Sequence, residues 1–385
     1  MKSLCPATVL AVRNALCAKS GQWPVSSTTA FSRHFASSVR VWYSPTLANN
    51  DQGGRARSQA SLDGPRDATK VSVATDETPA QYRRLGDSSH SGPRSFTATL
   101  ASREAPDLFS LAGRTVIVTG GGRGLGVTIA KAIIESGANV AAVDLLSAPS
   151  RDEWAVAQSS AYARGLTLTY TQLDVTDHSR VHEVFTEIFK SAPPDAPVRG
   201  MFCAAGIQML KPALEYTPEG ARNIVDVNLT GSFFCAQAFA AKYLETSQAA
   251  AQPRVDPQTG LVTGGGASIV FTGSMSGHVA NYGLESCMYN ASKAGVNQLA
   301  KNLAMEWGKR GIRVNSLSPG YIKTALTQAL LDQRPDFDEM WLRGSLLGRL
   351  STPDEFRGPV LYLLSEASSF MTGSDLLVDG GHTAT

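Results

Sequence analysis

A β-branched run that leads directly into a cluster of glycines is the feature that most constrains this sequence. Residues 115–119 read Thr-Val-Ile-Val-Thr, which predicts a strand buried on both faces of a parallel sheet. Glycine lets the backbone approach an anion closely, and the helix that follows offers free N–H groups to it. The arrangement predicts a pyrophosphate-binding turn, formed by Gly120, Arg123, Gly124, Leu125 and Gly126.

Strand and helix patterns alternate from residue 107 to the end of the chain. We predict strands at 115–119, 139–143, 168–173, 198–205, 267–272, 312–316 and 375–378. Helices are predicted at 125–136, 152–164, 177–190, 218–246, 287–309 and 353–366. This alternation predicts an α/β fold, a doubly wound parallel sheet of the Rossmann type in a single domain over 107–385. Residues 247–266 contain two prolines and a run of glycines, and we expect a long surface loop there.

Composition excludes several classes of protein. The 385 residues are 43% hydrophobic and 18% charged, which excludes wholesale disorder. No apolar run approaches the ~18 residues of a membrane-spanning helix, so we expect no membrane insertion. Five scattered cysteines predict neither a disulfide framework nor a zinc site, and no metal is expected. The net charge is +6 over residues 1–106 and −4 over the remainder, which argues against a nucleic-acid partner.

The first 106 residues differ from the rest. Residues 1–50 contain eight serines, no acidic residue and five basic residues, which predicts a mitochondrial transit peptide. The alternatives are a disordered tail on a cytoplasmic enzyme and a gene-model extension that is never translated. Residues 51–106 are rich in Gly, Ser, Arg and Asp without apolar periodicity, and we expect a disordered linker there.

Acidic residues after the second and third strands bear on the choice of cofactor. Asp144 follows the second strand, where a carboxylate hydrogen-bonds the adenosine ribose of NAD and repels the 2′-phosphate of NADP. Arg123 argues in the opposite direction because it offers an ion pair to a 2′-phosphate. NAD is therefore favoured and NADP stays open. After the third strand, the side chain of Asp174 and the amide of Val175 are candidates for contact with adenine.

A phenol and an ammonium form the centre of the predicted chemistry. Tyr289 and Lys293 share one face of a predicted helix, and an ammonium near a phenol lowers the phenol pKa from ~10 towards the range of a general acid/base. Ser274 ends the fifth strand and is predicted to hold a substrate oxygen. Ser276 is the competing candidate, although it lies further from the strand end. Asn228 is unfavourable inside a helix, so we expect it to support a water-bridged relay from Lys293, unless it is a surface amide.

These motifs, together with Asn315-Ser316-Leu317-Ser318-Pro319-Gly320, stand in the order found in short-chain dehydrogenase/reductases, and residues 107–385 resemble that family. The resemblance implies an NAD(P)(H)-dependent oxidoreductase that interconverts a secondary alcohol and a ketone. Tyr289 is then the proton donor and acceptor, Lys293 binds the nicotinamide ribose, Ser274 positions the carbonyl and Asn228 supports the relay. Homodimers or homotetramers are implied too. Further cofactor contacts are implied for Ala205, Gly206, Pro319, Gly320, Ile322 and Thr324.

One motif departs from the family pattern. Where the family usually has Asn-Asn-Ala-Gly after strand four, this chain has Cys203-Ala204-Ala205-Gly206. The asparagine side chains that tie neighbouring strands together are missing. The departure puts local rigidity in question more than the chemistry.

Within the family, residues 274–281 and 289–293 resemble fungal polyol and sugar dehydrogenases, such as arabinitol 2-dehydrogenase, mannitol dehydrogenase and xylulose or sorbose reductases. This implies a small polyol or ketose as substrate. Its hydroxyls would meet His278, Asn281 or the segment 325–348, although a loop-stabilising role for His278 and Asn281 is equally open. That segment offers apolar contact through Met340 and Trp341, and polar contact through Asp332 and Arg343. The rival functions are a mitochondrial 3-oxoacyl thioester reductase that uses NADPH and a non-catalytic nucleotide-binding scaffold.

Overall fold

The structure is a computed structural model that describes residues 104–249, 254–255, 262–263, 266–324, 327–328, 331–332 and 336–384. The predicted transit peptide and all but the last three residues of the predicted linker lie outside the described residues. The first described element is a short 3-10 helix, Ala105–Phe109.

Seven parallel strands form one sheet in the order β3-β2-β1-β4-β7-β8-β9. The strands are β1 (Thr115–Thr119), β2 (Asn139–Asp144), β3 (Leu168–Gln172), β4 (Val198–Cys203), β7 (Ala267–Thr272), β8 (Ile312–Pro319) and β9 (Asp375–Val378). The chain moves outwards from β1 to β3, then returns to place β4 on the other side of β1. This reversal is the topological switch point at which open α/β sheets bind ligands. The predicted doubly wound parallel sheet is confirmed.

Helices cover both faces of the sheet. They are α1 (Gly124–Glu135), α2 (Arg151–Ala163), α3 (His178–Ser191), α4 (Pro218–Val225), α5 (Ser232–Ala249), α6 (Cys287–Trp307), α7 (Asp336–Gly344) and α8 (Arg357–Leu364). Successive residues of β1 point to opposite faces: Val116 and Val118 pack with α1, α2 and α8, whereas Ile117 packs with α3, α5 and α6. Both faces of the central strands are therefore buried, which explains their continuous apolar sequence.

The structure differs from the sequence prediction in three places. The predicted helix over 218–246 is divided by a π-helical turn, Asp226–Gly231, between α4 and α5. The segment predicted to be a surface loop contains two short strands, β5 (Arg254–Val255) and β6 (Val262–Thr263), which pair antiparallel. Helix α7 was not predicted, because its nine residues are too short a stretch for an apolar periodicity to be recognised.

By length and composition alone, the segment Pro218–Thr246 is apolar enough to cross a membrane. Half of its most apolar window is buried inside the fold. Phe239, Cys235 and Ala236 belong to the hydrophobic core formed with α3 and α6. The apolar composition is thus used for packing against the sheet.

Candidate active site

The carboxyl ends of the parallel strands bring the predicted site residues to one edge of the sheet. The glycine turn follows β1, Asp144 ends β2, Gly206 follows β4, Ser274 follows β7 and Pro319 ends β8. Parallel strands end at a common edge, so residues up to 200 positions apart in sequence meet there.

The glycine turn is packed too closely to accept side chains. Gly120 has φ +66°, and a Cβ on it would lie 2.6 Å from the backbone nitrogen of Ala205. A Cβ on Gly126 would lie 2.0 Å from the carbonyl oxygen of Gly120. The turn therefore needs glycine for its path and for its approach to the end of β4.

The end of β4 is held without the family's usual asparagines. The amide of Ala204 donates to the carbonyl oxygen of Thr119 at 3.0 Å, and the amide of Ala205 donates to the Thr119 hydroxyl at 3.3 Å. Thr119 thereby ties β1 to β4 at the point where the family's asparagine side chains are missing.

The surroundings of the turn fit a dinucleotide. Helix α1 begins at Gly124, so its first N–H groups have no partner within the helix, and an anion such as a pyrophosphate is favoured at this helix end. Asp144 lies beside the turn: its Oδ2 accepts from the amide of Gly122 at 2.9 Å, and its Oδ1 from the amide of Leu146 at 3.2 Å. Arg123 lies in the turn between Gly122 and Gly124, and its side chain is exposed. These residues would hold the adenosine ribose and the pyrophosphate.

The other predicted cofactor contacts lie along the same edge. Asp174 is exposed, and its Oδ1 accepts from both the amide and the hydroxyl of Thr176, at 2.9 and 2.7 Å. Val175 is buried beneath it. Four predicted residues lie at the end of β8 and in the loop after it: Pro319, Gly320, Ile322 and Thr324. The amide of Gly320 donates to the carbonyl oxygen of Val378 at 2.9 Å, which ties this loop to the edge strand β9.

Ser274, Tyr289 and Lys293 meet at the end of β7. The Ser274 side chain lies close enough to the Tyr289 phenol to lower its pKa, and the Lys293 Nζ lies 5.7 Å from the centroid of the Tyr289 ring. Ser274 is 8% exposed, and its Oγ accepts from the amide of Ser276 at 3.1 Å. Ser276 therefore contacts Ser274 through its backbone, whereas Ser274 is the serine whose side chain acts on the pKa of the phenol. This geometry favours Ser274 over Ser276 as the serine that faces substrate.

Burial dominates the ionisation of this group. Lys293 is 5% exposed, and desolvation lowers its pKa from 10.5 to about 8. Burial raises the pKa of the Tyr289 phenol, and the hydrogen bond with Ser274 only partly opposes this. The expectation that Lys293 lowers the phenol pKa is therefore wrong for the protein by itself. The physical reason is that the ammonium donates to the carbonyl oxygen of Thr272 at 2.7 Å, not to the phenol oxygen.

Asn228 is a buried anchor and not a surface amide. It is 1% exposed and lies in the π-helical turn. Its Oδ1 accepts from the amide of Ile207 at 2.8 Å, and its Nδ2 donates to the Ile207 carbonyl at 2.9 Å and to Ser292 Oγ at 3.0 Å. A Cβ on Gly206 would lie 3.2 Å from the Asn228 Oδ1 and 3.6 Å from the Lys293 Nζ. The three residues thus surround one small space at the end of β4, and π-helical turns often occur at functional sites.

His278 is engaged away from the reaction centre. Its Nε2 lies 2.8 Å from Asp375 Oδ2, 3.0 Å from Asn297 Nδ2 and 3.3 Å from Ser318 Oγ. These contacts join the loop after β7 to α6, β8 and β9, and support the loop-stabilising alternative for His278. Asn281 is also buried, and its Oδ1 accepts from Asn290 Nδ2 at 3.2 Å.

A cavity of about 480 Å³ lies beside the loop that connects Ser274 to Tyr289. Met340 and Arg343, two of the residues predicted to contact substrate, line it. Trp341 does not: it is 3% exposed and stacks on Tyr321 with ring centroids 4.3 Å apart, so it is a core residue of α7. Asp332 is exposed and accepts from Gln328 at 2.9 Å. The remaining residues that line the cavity are Val279, Ala280, Tyr282, Tyr321, Glu339, Gly344 and His382.

The sequence did not indicate three residues of the site. Ser292 holds the Asn228 amide and donates to the Tyr289 carbonyl oxygen at 2.7 Å. Thr272 supplies the carbonyl that binds Lys293, and Thr119 joins β1 to β4. Nothing in the sequence distinguishes these hydroxyl residues from others, although Ser292 lies directly before Lys293.

Comparison with known proteins agrees with this geometry. A family model described as enoyl-(acyl carrier protein) reductase matches residues 120–383. A "short chain dehydrogenases/reductase notP'" of Aspergillus versicolor is 42% identical over 285 residues, which cover 73% of this chain and 91% of that protein. An NADH-dependent L-xylulose reductase of Ambrosiozyma monospora is 36% identical over 287 residues, which cover 72% of this chain and 97% of that protein.

Solved structures show the same fold. A gluconate 5-dehydrogenase of Burkholderia cenocepacia J2315, in complex with NADP and tartrate, has a TM-score of 0.62 and 28% identity, with 73% of this chain and 99% of that chain covered. The chain belongs to the short-chain dehydrogenase/reductase family, and it is an NAD(P)-dependent alcohol dehydrogenase or ketone reductase. The resemblance to polyol and sugar dehydrogenases is confirmed, since a D-arabinitol 2-dehydrogenase and a mannitol dehydrogenase are also among the relatives.

Proposed function

We propose that this enzyme interconverts a small polyol and the corresponding ketose with NAD(H). The observation that supports NAD is the position of Asp144, whose carboxylate is held by two backbone amides at 2.9 and 3.2 Å beside the glycine turn. A carboxylate at this point accepts hydrogen bonds from ribose hydroxyls and repels a 2′-phosphate.

The side chains at the end of β7 account for the proton transfer. The nicotinamide accepts or donates the hydride when the cofactor is bound. In oxidation, the Tyr289 phenolate takes the proton of the substrate hydroxyl, and Ser274 holds the same oxygen by a hydrogen bond. Lys293, whose Nζ lies 5.7 Å from the ring centroid, holds the nicotinamide ribose when the cofactor is bound. Reduction uses the same contacts in reverse.

Two lines of support point to a small polyhydroxylated substrate. Relatives at 32–36% identity are named for arabinitol, xylulose and mannitol. The cavity beside the site is lined by polar groups of Arg343 and Glu339 together with the rings of Tyr282 and Tyr321. Aromatic faces and polar groups suit the two kinds of surface that a polyol presents.

A substrate panel tests this proposal. Pentitols, hexitols and ketoses are assayed with NAD(H) and NADP(H) in parallel, and an acetoacetyl thioester with NADPH forms a separate arm. We expect turnover of at least one polyol–ketose pair with NAD(H), which Tyr289→Phe abolishes. Turnover of the thioester alone would identify a 3-oxoacyl reductase instead. Binding of NADH without any turnover would favour the scaffold.

We also propose import into mitochondria and assembly into a homodimer or homotetramer. Import is supported by the acid-free, Arg- and Ser-rich composition of residues 1–50. A fluorescent reporter fused to residues 1–50 should reach mitochondria, and a cytosolic reporter would remove this proposal. Analytical ultracentrifugation of residues 104–385 should give two or four times the mass of one chain.

A further inference from the structure

Glu153 reaches the glycine turn from a neighbouring helix. It lies in the first turn of α2, and its Oε2 accepts from the amide of Gly124 at 3.2 Å. The start of α2 is fastened to the same turn, because the amide of Ser150 donates to the carbonyl oxygen of Gly122 at 2.8 Å. The fold therefore places a second carboxylate beside the N-terminus of α1.

Two carboxylates thus stand on either side of Arg123. Asp144 accepts from the amide of the residue before Arg123, and Glu153 accepts from the amide of the residue after it. Arg123 has an extended backbone with φ −161°, and its side chain is exposed. Each carboxylate binds an amide that neighbours Arg123 in the chain, so the turn carries two negative charges against the one positive charge of Arg123.

The two carboxylates oppose the binding of NADP that Arg123 would favour. A 2′-phosphate carries about −1.5 to −2 charges at pH 7. Arg123 attracts it, whereas Asp144 and Glu153 both repel it. We propose that Glu153 is a specificity-determining residue that, together with Asp144, disfavours cofactors with an adenosine 2′-phosphate. The inference rests on the proposed preference for NAD.

The size of the effect follows from the exposure of the groups. An exposed charge within a Debye length of a dianion changes its affinity by about threefold to tenfold, and added salt reduces the change. Glutamine keeps an oxygen that accepts from Gly124, so Glu153→Gln removes the charge and retains the contact. Asp152 precedes Glu153 in the same helical turn, is exposed, and has no hydrogen bond to the glycine turn among the described residues. Asp152→Asn is therefore the matched control.

The experiment measures binding without turnover. Purified full-length protein, Glu153→Gln and Asp152→Asn are titrated calorimetrically with adenosine 2′,5′-bisphosphate and with adenosine 5′-monophosphate, at low and high salt. We expect Glu153→Gln to raise the ratio of bisphosphate to monophosphate affinity by about fivefold at low salt, and by less at high salt. The ratio of kcat/KM for NADP⁺ to that for NAD⁺ should rise with it. Asp152→Asn should change the affinity ratio by less than twofold.

An unchanged or smaller ratio in Glu153→Gln overturns the inference, and so does an equal rise in Asp152→Asn, which would indicate a general charge effect. The proposed function fails separately. If the wild-type enzyme prefers NADP⁺, the preference for NAD is wrong, whereas the affinity ratio between wild type and Glu153→Gln still reports on Glu153. Equal thermal unfolding midpoints of the three proteins confirm that each is folded.

Discussion

Replacing Lys293 by methionine should abolish turnover and at the same time make the protein more stable at neutral pH. Lys293 is 5% exposed and carries a positive charge in the interior. Methionine has a similar length and volume and no charge, so it fills the same space without the cost of desolvation. The site thus holds a group that the chemistry requires and that folding disfavours.

The magnitude follows from two opposing effects. A decrease of the Lys293 pKa from 10.5 to about 8 corresponds to roughly 3 kcal/mol of destabilisation at pH 7. Methionine removes this destabilisation. It also leaves the carbonyl oxygen of Thr272 without the Lys293 donor, which lies 2.7 Å from it, and this loss costs about 1–2 kcal/mol. The free energy of unfolding should therefore rise by about 1–2 kcal/mol. The unfolding midpoint should rise by about 2–4 °C.

The assay is urea unfolding of the cofactor-free protein between pH 6.5 and 10.5. Because the folded pKa of Lys293 lies below the unfolded pKa, the unfolded chain binds more protons between about pH 8 and 10.5. Wild-type stability should rise across that window relative to the variant. The advantage of Lys293→Met is therefore complete below about pH 8 and shrinks above it. Near pH 10.5 it becomes a deficit of about 1–2 kcal/mol, because only the lost donor to Thr272 then distinguishes the two proteins. Lys301→Met, at an exposed position of the same helix, is the control and should show no such pH dependence.

Two results would refute this reasoning. The first is a Lys293→Met protein that is less stable than wild type at pH 7. The second is a stability difference that does not change between pH 7 and 10, since the charge would then not be its cause.

The other predictions concern catalysis, the glycine turn and the edge of the sheet. Tyr289→Phe should lower kcat by 10²- to 10⁴-fold with little change in the binding of NADH measured by fluorescence, and retained turnover would contradict the proton-transfer role. Gly126→Ala should weaken cofactor binding or prevent folding, because its Cβ would lie 2.0 Å from the carbonyl oxygen of Gly120. The control is Gly358→Ala, where a Cβ meets nothing within 4 Å, and this variant should be neutral or raise the unfolding midpoint slightly. Arg313→Met should destabilise the fold by about 2 kcal/mol in urea unfolding, because four hydrogen bonds to the segment 363–371, at 2.9–3.3 Å, are lost. The backbone acceptors keep a second donor from Ser268, Asn315 or Ser368, so a change below about 1 kcal/mol would show that these donors suffice.

Local patterns were sufficient for the architecture and for the central residues. The strand β1, the glycine turn and the start of α1 are consecutive, so their residue types alone indicate a phosphate-binding turn. Tyr289 and Lys293 are four residues apart on one helix, and helical geometry alone places them on one face. The strands were readable because a strand buried on both faces requires an unbroken apolar run.

What the tertiary structure decided depends on contacts between distant segments. The direction of the Tyr289 pKa follows from burial and from the carbonyl of Thr272 that binds Lys293, neither of which the spacing of the two residues reveals. Glu153 contacts the glycine turn because a hydrogen bond from the amide of Ser150 holds the start of α2 beside that turn. The roles of such residues are set by neighbours that lie tens of positions away in the chain, and composition or periodicity carries no record of those neighbours.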